Sequence, residues 1–217
     1  MLRKSLFTLF AIGFATSLAL QAQDIQIKGG AVAVSGENPG IRLMMKEGAP
    51  AATDVSFWRV IYSPAGMGHV AYVKSDLTGN GPSSDDVRVA LTDNNALADY
   101  ISNDIMVVFN REHVERPFPK ARATFQKSGD TSKEWKETVK GDQYTVELTW
   151  RDFYTPFLID IPVGGQFKYG INSMFIPAKS ADVVINGKKV AGTPFPEKMG
   201  SMPSSSAFLA FSETWVK

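Results

Sequence analysis

Val55-Ser56-Phe57-Trp58-Arg59-Val60-Ile61-Tyr62 sets bulky side chains on both phases of a two-residue alternation. A strand with apolar groups on both faces is covered on both sides. It belongs in the middle of a sandwich, or in a barrel wall that packs against something outside. The flexible turn Ser63-Pro64-Ala65-Gly66-Met67-Gly68 follows, and residues 69–73 run back as its partner strand. Upstream, residues 41–45 read as a short apolar strand, 36–40 as a turn and 46–54 as a loop. Residues 25–34 alternate weakly, with a bend at Gly29-Gly30.

Downstream the same period recurs. Residues 87–91 are a strand after the polar loop 76–86. The spacing of Leu97, Tyr100, Ile101 and Ile105 predicts one helix over 93–105, capped by Asp93 or Asn94, with a return to strand at 106–109. Arg116-Pro117-Phe118-Pro119 is no central strand, because proline lacks a ladder donor. Residues 121–127, 134–140 and 144–151 are three antiparallel strands. In the last, Tyr144, Val146, Leu148 and Trp150 make one apolar face. Residues 157–161 and 174–176 are further strands. Asn186-Gly187 centres a hairpin over 183–190, and 192–206 reads as a mobile loop. Residues 207–216, apolar on both faces, are expected to close the sheet. The expected total is about eleven to thirteen short strands and one helix, the pattern of barrels and sandwiches. The predicted fold class is all-β with one short helix: an antiparallel β-barrel or closed sandwich, lipocalin-like in architecture.

Residues 1–22 have the order of a secretory signal peptide: basic Arg3-Lys4, an apolar core over 6–20 broken by small residues, and Ala22 before Gln23. The expected organisation is therefore a signal over 1–22 and a single barrel or sandwich domain over 23–217. The expected location is periplasmic or secreted, with no membrane span after cleavage. With Arg3 and Lys4 gone, the 23 basic residues fall to 21 against 22 acidic, which favours neither nucleic acid nor an anionic membrane as partner. Absence of cysteine excludes disulfides, thiolate metal sites and a cysteine nucleophile. There is no Gly-x-Ser-x-Gly elbow, phosphate loop or His-Glu-x-x-His pair.

The two histidines are the chemical candidates. On a continued strand, Arg111, His113 and Glu115 would share a face, giving His113 as general acid or base with Glu115 orienting it. A metal set would need His69, His113 and Glu115 to converge. The spacing does not require that, so no metal and no cofactor is expected. Arg151 and Tyr154, beside aromatics at a strand end, suit the mouth of a barrel, and His69, Arg111 and Trp58 complete the ligand-binding candidates. Seven methionines beyond the leader suit an irregular apolar ligand. The leading expectation is an exported β-barrel that binds a small, partly apolar molecule. A cofactor-independent hydrolase, lyase or isomerase using His113 is the alternative. A carbohydrate-binding or envelope-structural module with surface tryptophans is the second. Oligomeric state is not readable from the chain.

Overall fold

A computed structural model describes residues 31–79, 81, 86–164 and 168–217. The leader over 1–22 and the bend at Gly29-Gly30 lie outside the described residues. The strands are β1 Val32–Glu37, β2 Gly40–Met44, β3 Ala51–Tyr62, β4 Gly68–Ser75, β5 Val87–Thr92, β6 Lys120–Asp130 and β7 Glu134–Gly141. They continue with β8 Thr145–Phe153, β9 Phe157–Ile161, β10 Gly170–Ile185, β11 Lys188–Lys189, β12 Pro196–Met199, β13 Met202–Ser205 and β14 Ala207–Val216. Between β5 and β6 lie α1 Asn95–Tyr100, a π turn Ile101–Ile105, a 3₁₀ turn Met106–Val108 and α2 Glu112–Glu115. No helix among the described residues is long and apolar enough to cross a membrane.

Nine strands close into a barrel in the order β2-β3-β4-β5-β6-β7-β8-β10-β14, and β14 returns to β2 through Ala207 opposite Ile41. Eight junctions are antiparallel. The ninth, β5 with β6, is parallel (Ala90 opposite Lys120), so the barrel is mixed and the purely antiparallel expectation is corrected. An up-and-down lipocalin barrel has eight strands, so the likeness to one does not extend to strand number or direction.

Two breaks in the wall are bends within a single stave. Gly36 faces Val60 and Gly40 faces Ser56, the same register on either side of Asn38-Pro39. Pro39 has no N–H to give, yet its carbonyl accepts from Phe57 N at 2.9 Å and Asn38 N reaches Ala210 O at 2.9 Å. The ladder thus survives the proline, and the turn expected over 36–40 shrinks to that pair. Likewise β8 and β9 follow one another along β10, whose 16 residues replace the short strand expected at 174–176. The 192–206 stretch is a β12–β13 hairpin instead of a mobile loop, with Ser204, Ser205 and Ser206 buried. At Asn186-Gly187 both φ angles are positive (50° and 76°), as a type I′ turn requires.

The alternation in β3 divides two cores. Val55 and Phe57 point into the barrel, where they join Leu148, Trp150, Leu91 and Ile41. Trp58 and Val60 point outward and meet Leu97, Ile101 and Ile105 of the helical crossover. The two-sided covering predicted for 55–62 holds from Val55 to Val60, as a barrel wall with a helix against it, and ends at Ile61 and Tyr62, which are exposed. Asn94 caps that helix by accepting from Leu97 N at 3.1 Å. The strand expected at 106–109 is a 3₁₀ turn, because residues 93–119 must cross over the wall to start a parallel neighbour.

Candidate functional site

The inward phase of the wall does not stay apolar to the end of the barrel. Glu37 on β1, Arg59 on β3 and His69 on β4 are directly opposite one another. Asp93, just past β5, extends the row. Arg59 follows Phe57 on the same face, and His69 precedes Ala71, so strand alternation alone aims these groups inward.

Asp93 holds His69 twice. Its Oδ1 accepts the His69 backbone N–H at 2.7 Å and its Oδ2 meets Nδ1 at 2.7 Å. Arg59 Nε–H donates to His69 Nε2 at 3.3 Å. A guanidinium has only donors, so Nε2 accepts and the ring hydrogen sits on Nδ1. The imidazole lies flat on Phe125, with ring centres 4.7 Å apart. Gly68 adjoins this clasp at φ +148°, where an added Cβ would stand 2.6 Å from Asp93 Oδ1.

Arg59 is the hub. Besides His69, it bonds Glu37 through Nη1 and Glu137 Oε2 through Nη2 at 2.8 Å. The Glu137 side chain is fully buried, and its Oε1 accepts from Trp135 Nε1 at 3.0 Å. Burial pushes the Glu137 carboxyl up from the usual carboxylate range, against the Arg59 guanidinium and the Trp135 N–H, which pull it down. For Arg59 burial works to lower the pKa, but Glu137 and Glu37 outweigh it and hold the charge on. Lys127 reaches Glu37 at 3.5 Å and lies over the Trp135 ring. The cluster closes this end of the barrel with charge-assisted hydrogen bonds.

Beside it runs an open groove of about 890 Å³. Val60, Ile61 and Met67 supply its apolar side, with Ile61 and Met67 65 % and 70 % exposed. His69, Asp93 and Asn95 supply polar groups. Asn94 ties the floor together, since its Nδ2 donates to Ala65 O at 3.2 Å and Met67 O at 3.0 Å.

Of the catalytic and ligand-binding candidates named from the sequence, His69 alone lies in this groove, with Met67 from the methionine set beside it. His113 is 5 % exposed, packed edge-on against Tyr72 and tilted against Phe118, with Ser102 Oγ 3.3 Å from Nδ1. Its segment is the helical turn α2, so Arg111, His113 and Glu115 do not share a strand face, which corrects that expectation. Arg111 and Glu115 instead form an exposed pair one helical turn apart, at 3.1 Å. Arg151 is held by Glu134 at 2.6 Å and Asp182 at 2.8 Å, and Tyr154 lies under Lys179. Trp58 is wholly buried in the outer core, and Trp135, Trp150 and Trp215 are buried as well. No row of tryptophans is left on the surface to stack on sugars. The barrel interior, to which Arg151 and Tyr154 were expected to form the mouth, is occupied by Trp150, Leu148, Phe57 and their neighbours.

Arg59, Glu37, Glu137 and Asp93 were missed. A signal existed: Trp135, Glu137 and Val139 share one alternation phase, and so do Phe57 and Arg59. A charge on an apolar phase marks a buried ion.

No family model, curated protein or solved structure matches the chain. What defines it is its own geometry: a closed mixed β-barrel, filled with apolar side chains and shut at one end by a charge cluster beside a partly apolar groove.

Two predictions follow from these groups. Arg59→Met leaves the Glu137 carboxylate buried without its cation and lowers unfolding stability by about 3–5 kcal/mol. Adding Glu137→Leu recovers most of that loss in urea titrations. Equal destabilisation of single and double variants would refute the pairing. For His113, burial first and the nearby Arg88 charge second push the pKa down from 6.5 to about 4. Between those values the unfolded chain binds a proton that the folded one refuses. Stability is therefore complete above pH 6.5 and falls towards pH 4, by roughly 3 kcal/mol from this group. His113→Gln flattens that part of the stability–pH curve, and an unchanged curve would refute the assignment.

Proposed function

We propose that the protein is an exported β-barrel that binds a small, partly apolar molecule, and that it binds it in the groove beside the charged barrel end and not within the barrel. One observation carries this reading: exposed Ile61 and Met67 face the same groove as His69, Asp93 and Asn95. Ligand sites are concave, with apolar walls and a few convergent polar groups, and a volume of about 890 Å³ lies within the usual range. The groove is also preorganised. Asp93 clasps His69, and Asn94 locks the β3–β4 turn to the start of α1. A filled barrel offers a ligand its outside, and large exposed apolar groups there are costly unless something covers them.

The test is a titration with N-phenyl-1-naphthylamine, an uncharged apolar dye that brightens on leaving water. Saturable binding is expected, weakened at least tenfold by Met67→Asp and unaffected by Leu158→Asp, which alters an equally exposed side chain on β9 (71 % exposed). Loss of binding in the Leu158 variant alone would place the ligand elsewhere, and no saturable binding would end the proposal.

The export half of the proposal is supported by the basic, apolar and small-residue order of 1–22. Expressed in a secreting host, the protein is expected outside the cytoplasm with Gln23 as its first residue on N-terminal sequencing. An intact leader on cytoplasmic protein would refute export.

A further inference from the structure

We infer that the ligand is an anionic amphiphile whose apolar part lies along Ile61 and Met67 and whose carboxylate or phosphate group reaches over Asp93 and Asn95 to Arg122. The inference rests on the groove being the ligand site and goes on to the chemistry of what fills it. A second, smaller groove of about 230 Å³ lies against the first, lined by Thr92, Asp93, Asn95, Lys120 and Arg122. Asp93 and Asn95 belong to both grooves and form the ridge between them. One molecule lying across that ridge would meet apolar surface on one side and the Arg122 guanidinium on the other.

The charges that remain uncommitted decide the sign of the head group. Asp93 is acidic, but its two oxygens are engaged by the backbone N–H and Nδ1 of His69. Arg59 is spent on Glu37, Glu137 and His69. Lys120 bonds both oxygens of Asp99 at 2.6 Å, which makes a neutral pair. Arg122 stands exposed opposite Thr92 on the parallel β5–β6 junction, without a partner among the described residues. Its planar fork matches a carboxylate or a phosphate through two parallel hydrogen bonds, and exposed Asn95 adds a polar side chain along the same groove. An amine head would have to compete with His69 for Asp93 and with Lys120 for Asp99. A neutral head would leave the Arg122 fork unused.

Calorimetry with three ten-carbon probes, each below its micellar concentration, tests this. Decanoate and decyl phosphate are expected to bind at least tenfold more tightly than decanol, with the advantage shrinking as salt is raised. Arg122→Ala should bring the anions down to the level of decanol, and Arg122→Lys should keep part of the gain. The order of decanoate and decyl phosphate shows which anion the fork prefers. If decanol binds and the anions gain nothing, or if Arg122→Ala leaves their advantage intact, the anionic inference fails while the groove reading stands. If none of the three binds, the groove reading fails with it.

Discussion

A ring of strands can alternate in direction all the way round only if their number is even. This barrel has nine, so one pair of neighbours must run parallel, and that pair is β5 and β6. The rest of the architecture depends on this constraint. Antiparallel neighbours need only a tight turn, but a parallel pair needs a crossover of a dozen residues or more. Residues 93–119 supply it. They leave the end of β5, run outside the wall as α1 and its π and 3₁₀ continuations, and return to start β6. A crossover must bury an apolar face, and Leu97, Ile101 and Ile105 bury theirs on Trp58 and Val60. The outer core, the two-sided β3 and the groove at the start of the crossover all follow from one odd strand.

The charged end answers a second requirement. Closure removes the sheet's lateral edges but leaves the ends of the barrel open to water. Here the inward phase changes from apolar to ionic within one residue pair, Phe57 to Arg59. Buried ions are costly unless every donor and acceptor is met. Arg59 meets two carboxylates and an imidazole, Glu137 also meets an indole N–H, and His69 is held at both ring nitrogens. Such a network gains less in stability than in definition. A one-residue slip of β3 would turn Arg59 to the outer face and strand Glu137 inside. The row Glu37, Arg59, His69 therefore pins the register of three neighbouring staves.

Much of the wall was legible in the sequence because alternation is local. Residues 55–62, 134–140 and 144–151 became strand within β3, β7 and β8, the last with its apolar face as read, and Asn186-Gly187 turned where its tolerance of positive φ allows. What escaped was decided by partners distant in sequence. The length of β10 comes from having β9 and β8 on one side and β14 on the other. The parallel step depends on ring closure, which no window of residues contains. His113 was read as part of an exposed charged strand because its neighbours are charged. In a helical turn those charges point to water while the imidazole goes under Tyr72 and Phe118. The site was harder still to see. Arg59 and Glu137 stand on apolar phases in sequence, but only register brings them together with Glu37 and Asp93.

The two kinds of charge at this end have different roles. The interior ions are satisfied by one another, so a ligand would have to break existing bonds to use them. Arg59 and His69 are thus better suited to fixing the shape of the groove than to contacting what lies in it. The uncommitted polar groups are exposed Asn95 on the ridge and Arg122 beyond it. That division is economical for recognition. A rigid network costs nothing to order when a ligand arrives, whereas exposed arginine and methionine side chains lose rotamer freedom on contact. On the proposed reading, specificity would come from the fixed distance between apolar wall and cation, which the register of β3, β4 and β5 against the crossover sets.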